Sequence, residues 1–329
     1  MNEHVSGRGP SRREFLVLGA GVFAVSAVGA GFRRQRLVRR TVPVMGTIAE
    51  VAVVSRDEVA AHQAITAAVD ELHAVERAMT RFNARSDIGR ANLHAHAGPV
   101  AVTAATAAVV AESLRWAAAD GGRFDPCIGR ASELWDVAHR TEPPVPGDVR
   151  RLAGRGLYRG LELGTRGGSS VLVYNDPDIG LDLGGIAKGY GVDRAVAALR
   201  DWGITNALVN AGGDLYAMGT NAEGDPWRVG IRSPADPTRL AGTFPLSDRA
   251  VATSGDYEQY FDHAGRRYHH LLDPETAAPR TGSGHSITVA AESCMTADAA
   301  ATAVFGLDDV PARRVLARTA PLAEIIRVA

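Results

Sequence analysis

A glycine-rich segment at residues 181–194 combines the residue types that bind phosphate. It reads LDLGGIAKGYGVDR, in which a strand pattern leads into Gly184 and Gly185 and then into a helix pattern. The first turn of a helix offers unpaired N–H groups and a positive dipole end, which favour a phosphate group. Lys188 adds a mobile positive charge, and Asp182 can orient a hydroxyl or accept a proton. The segment matches neither a Walker A sequence nor a Rossmann fingerprint, which argues against those two kinds of nucleotide site.

Lys188 is also the single lysine among the 36 Lys and Arg residues of the chain. An ammonium group is a compact point charge on a flexible stem, whereas a guanidinium group is planar and wide. The retention of one ammonium group inside the most glycine-rich motif favours a functional role for Lys188 over chance.

A second candidate site lies at residues 297–302, which read ADAAAT within a helical pattern. Asp298 and Thr302 are four residues apart, so their carboxylate and hydroxyl share one helix face. Mg²⁺ prefers oxygen ligands and usually completes its shell with water and substrate phosphates. The pair therefore predicts a Mg²⁺ site, and the structural alternative is a helix-capping Asp with a buried Thr.

Three further segments carry weaker signals. Residues 268–274 contain the pair His269 and His270, but no other transition-metal ligands have suitable spacing, and a surface strand ending in an Asp-Pro turn is the alternative. Hydroxyl, aromatic and thioether groups that could contact a phosphate or a flat ring occur at residues 251–257, 122–126 and 45–47. Each of these segments, taken alone, is typical of ordinary structure.

The elements that must position these residues follow from periodicity. Apolar spacing predicts helices at 58–80, 103–120, 186–202, 295–305 and 311–317, with Gly203 as the residue that ends the third. Strand patterns occur at 41–54, 157–163, 170–174, 179–183 and 322–328, with short strands between 206 and 272, and we expect polar or surface connections at 81–99 and 140–155. Helices and strands occur in blocks, which predicts an α+β fold with largely antiparallel sheets.

The composition and the N-terminus narrow the class of protein. With 46% hydrophobic and 22% charged residues, the 329-residue chain is typical of a globular protein. Eight Arg, Glu3 and Glu14 give residues 1–40 a charge of +6, which leaves −7 for the remainder of the chain. An acidic body argues against a nucleic-acid partner. The two cysteines, Cys127 and Cys294, form no disulfide framework.

Residues 1–40 predict a twin-arginine (Tat) export signal. Ser11-Arg12-Arg13-Glu14-Phe15-Leu16 precedes an uncharged apolar run. The alternative is an N-terminal membrane anchor, and signal cleavage stays open. Either interpretation places the folded domain, residues 41–329, on the outer face of the cytoplasmic membrane or in a periplasm-like space, with possible membrane association.

Taken together and in order, these segments resemble the ApbE family, the Mg²⁺-dependent FAD:protein FMN transferases. The resemblance covers nearly all of residues 41–329. The matching segments are Met45-Gly46-Thr47, 81–92, 124–135, 182–193, 210–214, 253–257, 270–274 and 297–302. It implies a single catalytic unit of two intertwined subdomains that binds FAD as substrate. Such an enzyme moves the FMN half of FAD to a Thr or Ser hydroxyl of an acceptor protein and releases AMP.

The resemblance also implies site residues. The metal ligands of the family fall on Asp298, Thr302 and the backbone carbonyl of Gly185. The FAD contacts fall on Met45, Phe82, Arg123, Phe124, Asp125, Asp182, Lys188 and Leu272. The catalytic group comprises His270, Asp182 and Lys188, and either His270 or Asp182 could remove the proton from the acceptor hydroxyl.

The chain departs from the family pattern at three positions. Cys127 stands where Thr is usual, Ala277 where Gly is usual, and Ala301 where some relatives place a second acidic metal ligand. Two alternative functions stay open at this point. One is a Mg²⁺-dependent FAD pyrophosphatase that yields FMN and AMP, and the other is a non-catalytic exported carrier of FAD.

Overall fold

The computed structural model describes residues 36–233, 236, 239–282 and 285–326, and the predicted export signal lies outside these residues except for its last five positions. The described residues contain eight α-helices: α1 (Glu58–Met79), α2 (Asp87–His94), α3 (Ala104–Asp120), α4 (Gly129–Trp135), α5 (Pro146–Leu152), α6 (Ala187–Asp201), α7 (Cys294–Val304) and α8 (Asp309–Thr319).

The strands are numbered in chain order. They are β1 (Arg36–Val44), β2 (Thr47–Ser55), β3 (Val100–Val102), β4 (Leu161–Arg166), β5 (Ser169–Tyr174), β6 (Ala207–Ala211), β7 (Asp214–Met218), β8 (Trp227–Arg232), β9 (Leu240–Leu246), β10 (Arg249–Gly255), β11 (Tyr260–His263), β12 (Arg266–His269), β13 (Leu272–Asp273), β14 (Ala278–Pro279), β15 (Ser286–Ala291) and β16 (Glu324–Ile326).

Seven of these strands form the central sheet in the order β1-β2-β6-β7-β10-β15-β16. Every neighbouring pair in it is antiparallel. A three-stranded sheet, β3-β5-β4, and the pairs β8-β9, β11-β12 and β13-β14 complete the described sheets. The predicted α+β class with largely antiparallel pairing is therefore confirmed.

The central sheet buries both faces, and β2 shows how. Ala49, Val51 and Val53 join the large core beneath the helices, whereas the alternate residues Ala52 and Val54 join a second core against the β8-β9 hairpin. Helix α1 packs against β1, β2 and α6, and α6 packs against α7. This arrangement brings the starts of α6 and α7 together.

Sequence periodicity located the long helices well. The predictions 58–80 and 103–120 correspond to α1 and α3, and Asp57 and Thr103 cap these helices by accepting hydrogen bonds from backbone N–H groups. Gly203 follows α6 with a φ of 72°, as its predicted role requires.

Three predictions differ from the structure. Short helices α2 and α5 occupy segments expected to be polar or surface connections, and α4 forms where no element was predicted, because too few residues carry the periodic signal. The strand expected at 179–183 is wrong: only a single bridge between Ile128 and Gly180 forms there. Strand β1 begins at Arg36, which pairs with Ser55. The start of this strand therefore lies within the segment assigned to the export signal. No helix in the described ranges is both long and apolar enough to cross a membrane.

Candidate functional site

The glycine-rich segment forms the connection into α6 and its first turn. The carboxylate of Asp182 accepts a hydrogen bond from the N–H of Gly184 through Oδ1 (2.9 Å). The helix itself begins at Ala187, one residue after the predicted start, so Lys188 is its second residue. In its first turn the N–H groups of Ala187 and Gly189 already donate to the carbonyl oxygen of Leu183 and to Oδ2 of Asp298, so this turn offers a phosphate the Lys188 side chain rather than a row of unpaired N–H groups.

Helices α6 and α7 touch at positions where a side chain would not fit. A Cβ atom on Gly189 would lie 2.2 Å from the carbonyl oxygen of Cys294 and 2.8 Å from Cβ of Asp298. The N–H of Gly189 donates to Oδ2 of Asp298 at 3.0 Å. Both carboxylate oxygens of Asp193 accept from the start of α7, at Cys294 N (2.7 Å) and Met295 N (2.9 Å). The two predicted motifs are thus held against each other.

The three predicted metal-binding groups converge at this contact. Asp298 and Thr302 lie one turn apart on α7, and a Cβ atom on Gly185 would approach Oγ1 of Thr302 to 3.0 Å. One carboxylate, one hydroxyl and one backbone carbonyl would supply oxygen donors of the kind that a hard cation such as Mg²⁺ prefers. No cluster of three or more His, Cys, Asp or Glu side chains suited to a metal occurs among the described residues.

Lys188 is shared by two buried carboxylates. Its Nζ lies 2.6 Å from Oδ2 of Asp214 and 3.4 Å from Oδ1 of Asp298. Burial alone would lower the pKa of Lys188, but the charges of Asp214, Asp298 and Glu258 raise it above the ordinary lysine value. Lys188 is therefore a permanent cation in this site.

Asp214 and Glu258 were absent from the predicted site residues. Asp214 starts β7 directly after a turn in which Gly212 and Gly213 have φ angles of 62° and 96°. Burial and the nearby Asp298 raise the pKa of Asp214, against the opposing effect of Lys188. The signal for Asp214 was its place after an Asn-Ala-Gly-Gly turn, but only the fold shows which cation it meets.

Glu258 lies in the connection between β10 and β11. The surrounding protein and the charge of Asp298 raise its pKa to about 7, while Lys188 and Arg232 act in the opposite direction. Its side chain keeps an exposed surface, and solvent screens part of this effect. Glu258 adds a third carboxylate to the electrostatic environment of Lys188.

Both carboxylate oxygens of Asp182 have a partner. Its Oδ2 lies 3.2 Å from Nε of Arg81, while Oδ1 holds Gly184. The guanidinium of Arg81 also stacks over the ring of Phe82 at 4.2 Å from the centroid, and Phe82 is 82% exposed. An exposed aromatic ring at the edge of the site offers a flat surface for a ring system.

Asn92 positions the segment that carries Asp182. Its side-chain Nδ2 donates to the carbonyl of Leu181 (2.9 Å), and its Oδ1 accepts from the N–H of Leu181 (2.7 Å) and from the hydroxyl of Tyr174 (3.0 Å). This pairing replaces the strand ladder that the sequence pattern predicted at 179–183. Asn92 was noted only as the end of a matching segment.

His270 is half-buried, and its Nδ1 lies 3.3 Å from the carbonyl oxygen of Gln259. A carbonyl can only accept, so Nδ1 carries the proton of the neutral ring and Nε2 keeps its lone pair. Burial lowers the pKa of His270 to about 4, and the charges of His269 and Lys188 act in the same direction. His270 is therefore a neutral imidazole near neutral pH.

Met45 stands at the turn between β1 and β2 with a φ of 55°. Its N–H donates to Oε1 of Glu76 at 2.7 Å. A Cβ atom on Gly191 would lie 3.0 Å from the Met45 sulfur, so the side chain lies along α6. Met45 therefore joins the β1-β2 turn to the helix that carries Lys188.

Four other predicted FAD contacts have interior partners. Phe124 is buried beside Trp116, and Leu272 is buried in a small core that also contains Trp135. The carboxylate of Asp125 accepts from the N–H groups of Cys127 (2.8 Å) and Tyr158 (3.3 Å). Arg123 donates to carbonyl oxygens at the end of α7. The side chains of these four residues support the site from within the protein.

The three departures from the family pattern have distinct settings. The Cys127 thiol is buried, and burial raises its pKa well above the ordinary value, so it is uncharged. Ala277 has a φ of 50°, a conformation that glycine adopts without cost. Ala301 is buried, which leaves Asp298 as the carboxylate on this face of α7.

Comparisons with known proteins agree with this geometry. A model described as the ApbE family matches residues 45–326. The FAD:protein FMN transferase of Vibrio cholerae is 33% identical over 265 residues, which cover 80% of this chain and 79% of the relative. That of Treponema pallidum is 33% identical over 311 residues, covering 88% and 84%.

Solved structures show the same architecture. The flavin transferase ApbE from Vibrio cholerae superposes with a TM-score of 0.74 at 30% identity, covering 86% of this chain and 90% of that one. The ApbE protein from Thermotoga maritima gives a TM-score of 0.79 at 29% identity, covering 88% and 93%. The resemblance therefore extends from the motifs to the whole described fold.

Proposed function

The chain belongs to the ApbE family of FAD:protein FMN transferases, and we propose that it moves the FMN half of FAD to a Thr or Ser hydroxyl of an acceptor protein, releasing AMP, with Mg²⁺ as the cation. The observation that carries this proposal is the convergence of Lys188 with Asp298, Thr302 and Gly185 at the start of α6. Cleavage of a diphosphate requires concentrated positive charge and oxygen donors at one place.

The oxygen donors of Asp298, Thr302 and the Gly185 carbonyl would hold the cation. When bound there, Mg²⁺ supplies charge neutralisation for the diphosphate oxygens. Lys188 binds the same diphosphate as a permanent cation and stabilises the negative charge that develops on the departing AMP. The positive dipole end of α6 adds a favourable electrostatic contribution for the phosphate.

His270 is the better candidate for the proton acceptor. Both oxygens of Asp182 already have partners, in Gly184 and Arg81, whereas Nε2 of His270 keeps a lone pair. In the proposed reaction the acceptor hydroxyl oxygen forms a bond to the FMN phosphorus, and its proton moves to Nε2 of His270. The bond between that phosphorus and the bridging oxygen breaks, and the electron pair leaves with AMP.

The test is direct. A protein that starts at Arg36, and so retains all of β1, is incubated with FAD, Mg²⁺ and an acceptor protein carrying the candidate Thr. We expect AMP release together with flavin fluorescence that stays on the acceptor in a denaturing gel, and loss of both with EDTA. Replacement of the acceptor Thr by Val should remove the fluorescent band.

Two variants on α7 test the cation site. Asp298→Asn should abolish transfer, because the only carboxylate in the donor set is lost, and Thr302→Val should weaken Mn²⁺ binding more than Thr302→Ser, which keeps the hydroxyl. Full activity of Asp298→Asn in the presence of Mg²⁺ would contradict the metal assignment. AMP release without a labelled acceptor would instead support the FAD pyrophosphatase, and bound FAD that survives incubation would support a carrier.

We also propose that the enzyme acts outside the cytoplasm, after export by the Tat route. Support comes from Arg12 and Arg13 ahead of the apolar run. Residues 1–35 fused to a folded reporter should direct it across the membrane, and replacement of Arg12 and Arg13 by lysine should block this. Fractionation after export would show whether the segment is cleaved or remains as a membrane anchor.

A further inference from the structure

Arg280 is a buried arginine that joins three parts of the site. It is 7% exposed, and its guanidinium donates to four backbone carbonyl oxygens. They belong to Leu272 (3.0 Å), Arg123 (2.8 Å), Phe305 (3.3 Å) and Thr302. Three of these four residues are predicted to contact FAD or the cation. Arg280 itself is not among the predicted site residues.

The end of α7 depends on this arginine. The last carbonyl groups of a helix have no partner within the helix. At the end of α7 the carbonyl groups of Ala301 and Val304 accept from the backbone N–H groups of Phe305 and Leu307. The two between them, Thr302 and Ala303, accept from the side chains of Arg280 and Arg123. Two arginines thus complete the C-terminal end of the helix that carries Asp298 and Thr302.

The positive charge of Arg280 has no carboxylate partner at ion-pair distance among the described residues. Its guanidinium donates to carbonyl oxygens instead, and Asp273 and Asp120 affect its pKa through their charges alone. Burial and the like charge of Arg123 lower its pKa to about 9. Burying a guanidinium without an ion pair costs free energy, so stability alone does not account for this residue. Its planar fork of donors does account for it, because several carbonyls from different segments are bound at once.

We propose that Arg280 is a positioning residue, which holds the cation side of the site at Thr302 and the flavin side at Arg123 and Leu272 in one fixed arrangement. Arg280 touches neither substrate nor cation in this role. It acts through the backbone atoms of residues that the family resemblance assigns to FAD and cation binding. This inference rests on the proposed function for the identity of the ligands.

Arg280→Lys tests the proposal, because lysine keeps the charge and loses the planar fork. We measure the Kd for FAD by flavin fluorescence, the Kd for Mn²⁺ by electron paramagnetic resonance, and the KM and kcat of transfer. If Arg280→Lys misaligns the segments of Arg123 and Leu272, the Kd and KM of this variant for FAD rise by about tenfold or more. The Kd for Mn²⁺ rises as well, since the segment that carries Thr302 loses its anchor.

Arg115→Lys is the matched control. Arg115 donates to the carbonyl of Thr319 at the end of α8 (2.9 Å), so it also completes a helix terminus, but it lies outside the site. We expect both variants to lower the melting temperature and only Arg280→Lys to change the Kd for FAD. An unchanged Kd and KM for FAD in Arg280→Lys would overturn the proposal.

Two outcomes separate this inference from the proposed function. If the wild-type protein shows no transfer and no Mn²⁺ binding, the proposed function fails, while the FAD Kd of the variants still decides the role of Arg280. If Arg280→Lys and Arg280→Gln both fail to fold while Arg115→Lys folds, Arg280 serves stability and the positioning role is wrong.

Discussion

The ammonium of Lys188 lies closer to Asp214 than to Asp298, at 2.6 Å against 3.4 Å. Asp214 is 1% exposed, so the single lysine of the chain neutralises a buried carboxylate while it faces the proposed diphosphate site. The same side chain therefore contributes to stability and to substrate binding. A planar guanidinium would meet these two carboxylates with a different geometry.

Removal of the lysine charge should expose this double role. Lys188→Met leaves Asp214 buried without its partner, and we expect the free energy of unfolding to fall by about 3 kcal/mol. The pKa of Asp214 is already raised by burial, so at low pH the unpaired carboxylate is protonated and carries no buried charge. The loss of stability should therefore grow as the pH rises, which urea unfolding at several pH values would show.

The matched control is the double variant Lys188→Met with Asp214→Asn. It removes both charges, so most of the lost stability should return. An equal loss in the single and double variants would contradict the pairing. Lys188→Arg should keep the charge but lower kcat/KM, and wild-type turnover in that variant would mean that the retention of a lysine is chance.

His270 should remain neutral over an unusually wide pH range. Its pKa is lowered to about 4, so in the free enzyme its imidazole signals should begin to shift only below pH 5, with the signals assigned by their absence in His270→Gln. Between pH 6.5 and 4 the unfolded chain binds more protons at this residue than the folded chain does. His270 therefore lowers stability as the pH falls through that range, and His270→Gln should reduce the acid sensitivity. A midpoint near 6.5 would contradict the buried, neutral state.

Asn92→Ala should alter the position of Asp182 indirectly, through the backbone of Leu181. Both backbone groups of the buried Leu181 lose their partners, which costs about 1–3 kcal/mol and releases the segment before Asp182. We expect a higher KM for FAD together with a lower melting temperature. Asn175→Ala is the control, because its side chain bonds Glu162 at the surface. Similar KM values for the two variants would contradict the positioning role of Asn92.

The turn between β11 and β12 offers a gain in stability. Ala264 and Gly265 form its two-residue loop with φ angles of 49° and 75°, a geometry in which asparagine is favoured over alanine. Ala264→Asn should raise the free energy of unfolding by up to about 1 kcal/mol, and Ala264→Val should lower it. Thermal unfolding of both variants provides the measurement, and the opposite order would contradict the turn assignment.

The sequence alone determined the features that depend on local spacing. The 3.6-residue period of α1 and α3 lies within each helix, and Asp298 and Thr302 share a face because they are four residues apart. The two glycines that precede α6, Gly184 and Gly185, can likewise be recognised from consecutive residues. These features need no knowledge of distant parts of the chain.

The tertiary structure decided which distant groups meet. Asp214 forms an ion pair with Lys188, and the side chain of Asn92 hydrogen-bonds the backbone of Leu181 as a neighbouring strand would. Arg280 donates hydrogen bonds to carbonyl groups of three separate segments. Short helices such as α4 also form where packing outweighs a weak local signal. Buried polar groups must find partners, and packing alone determines which ones lie within reach, so no local pattern predicts these contacts.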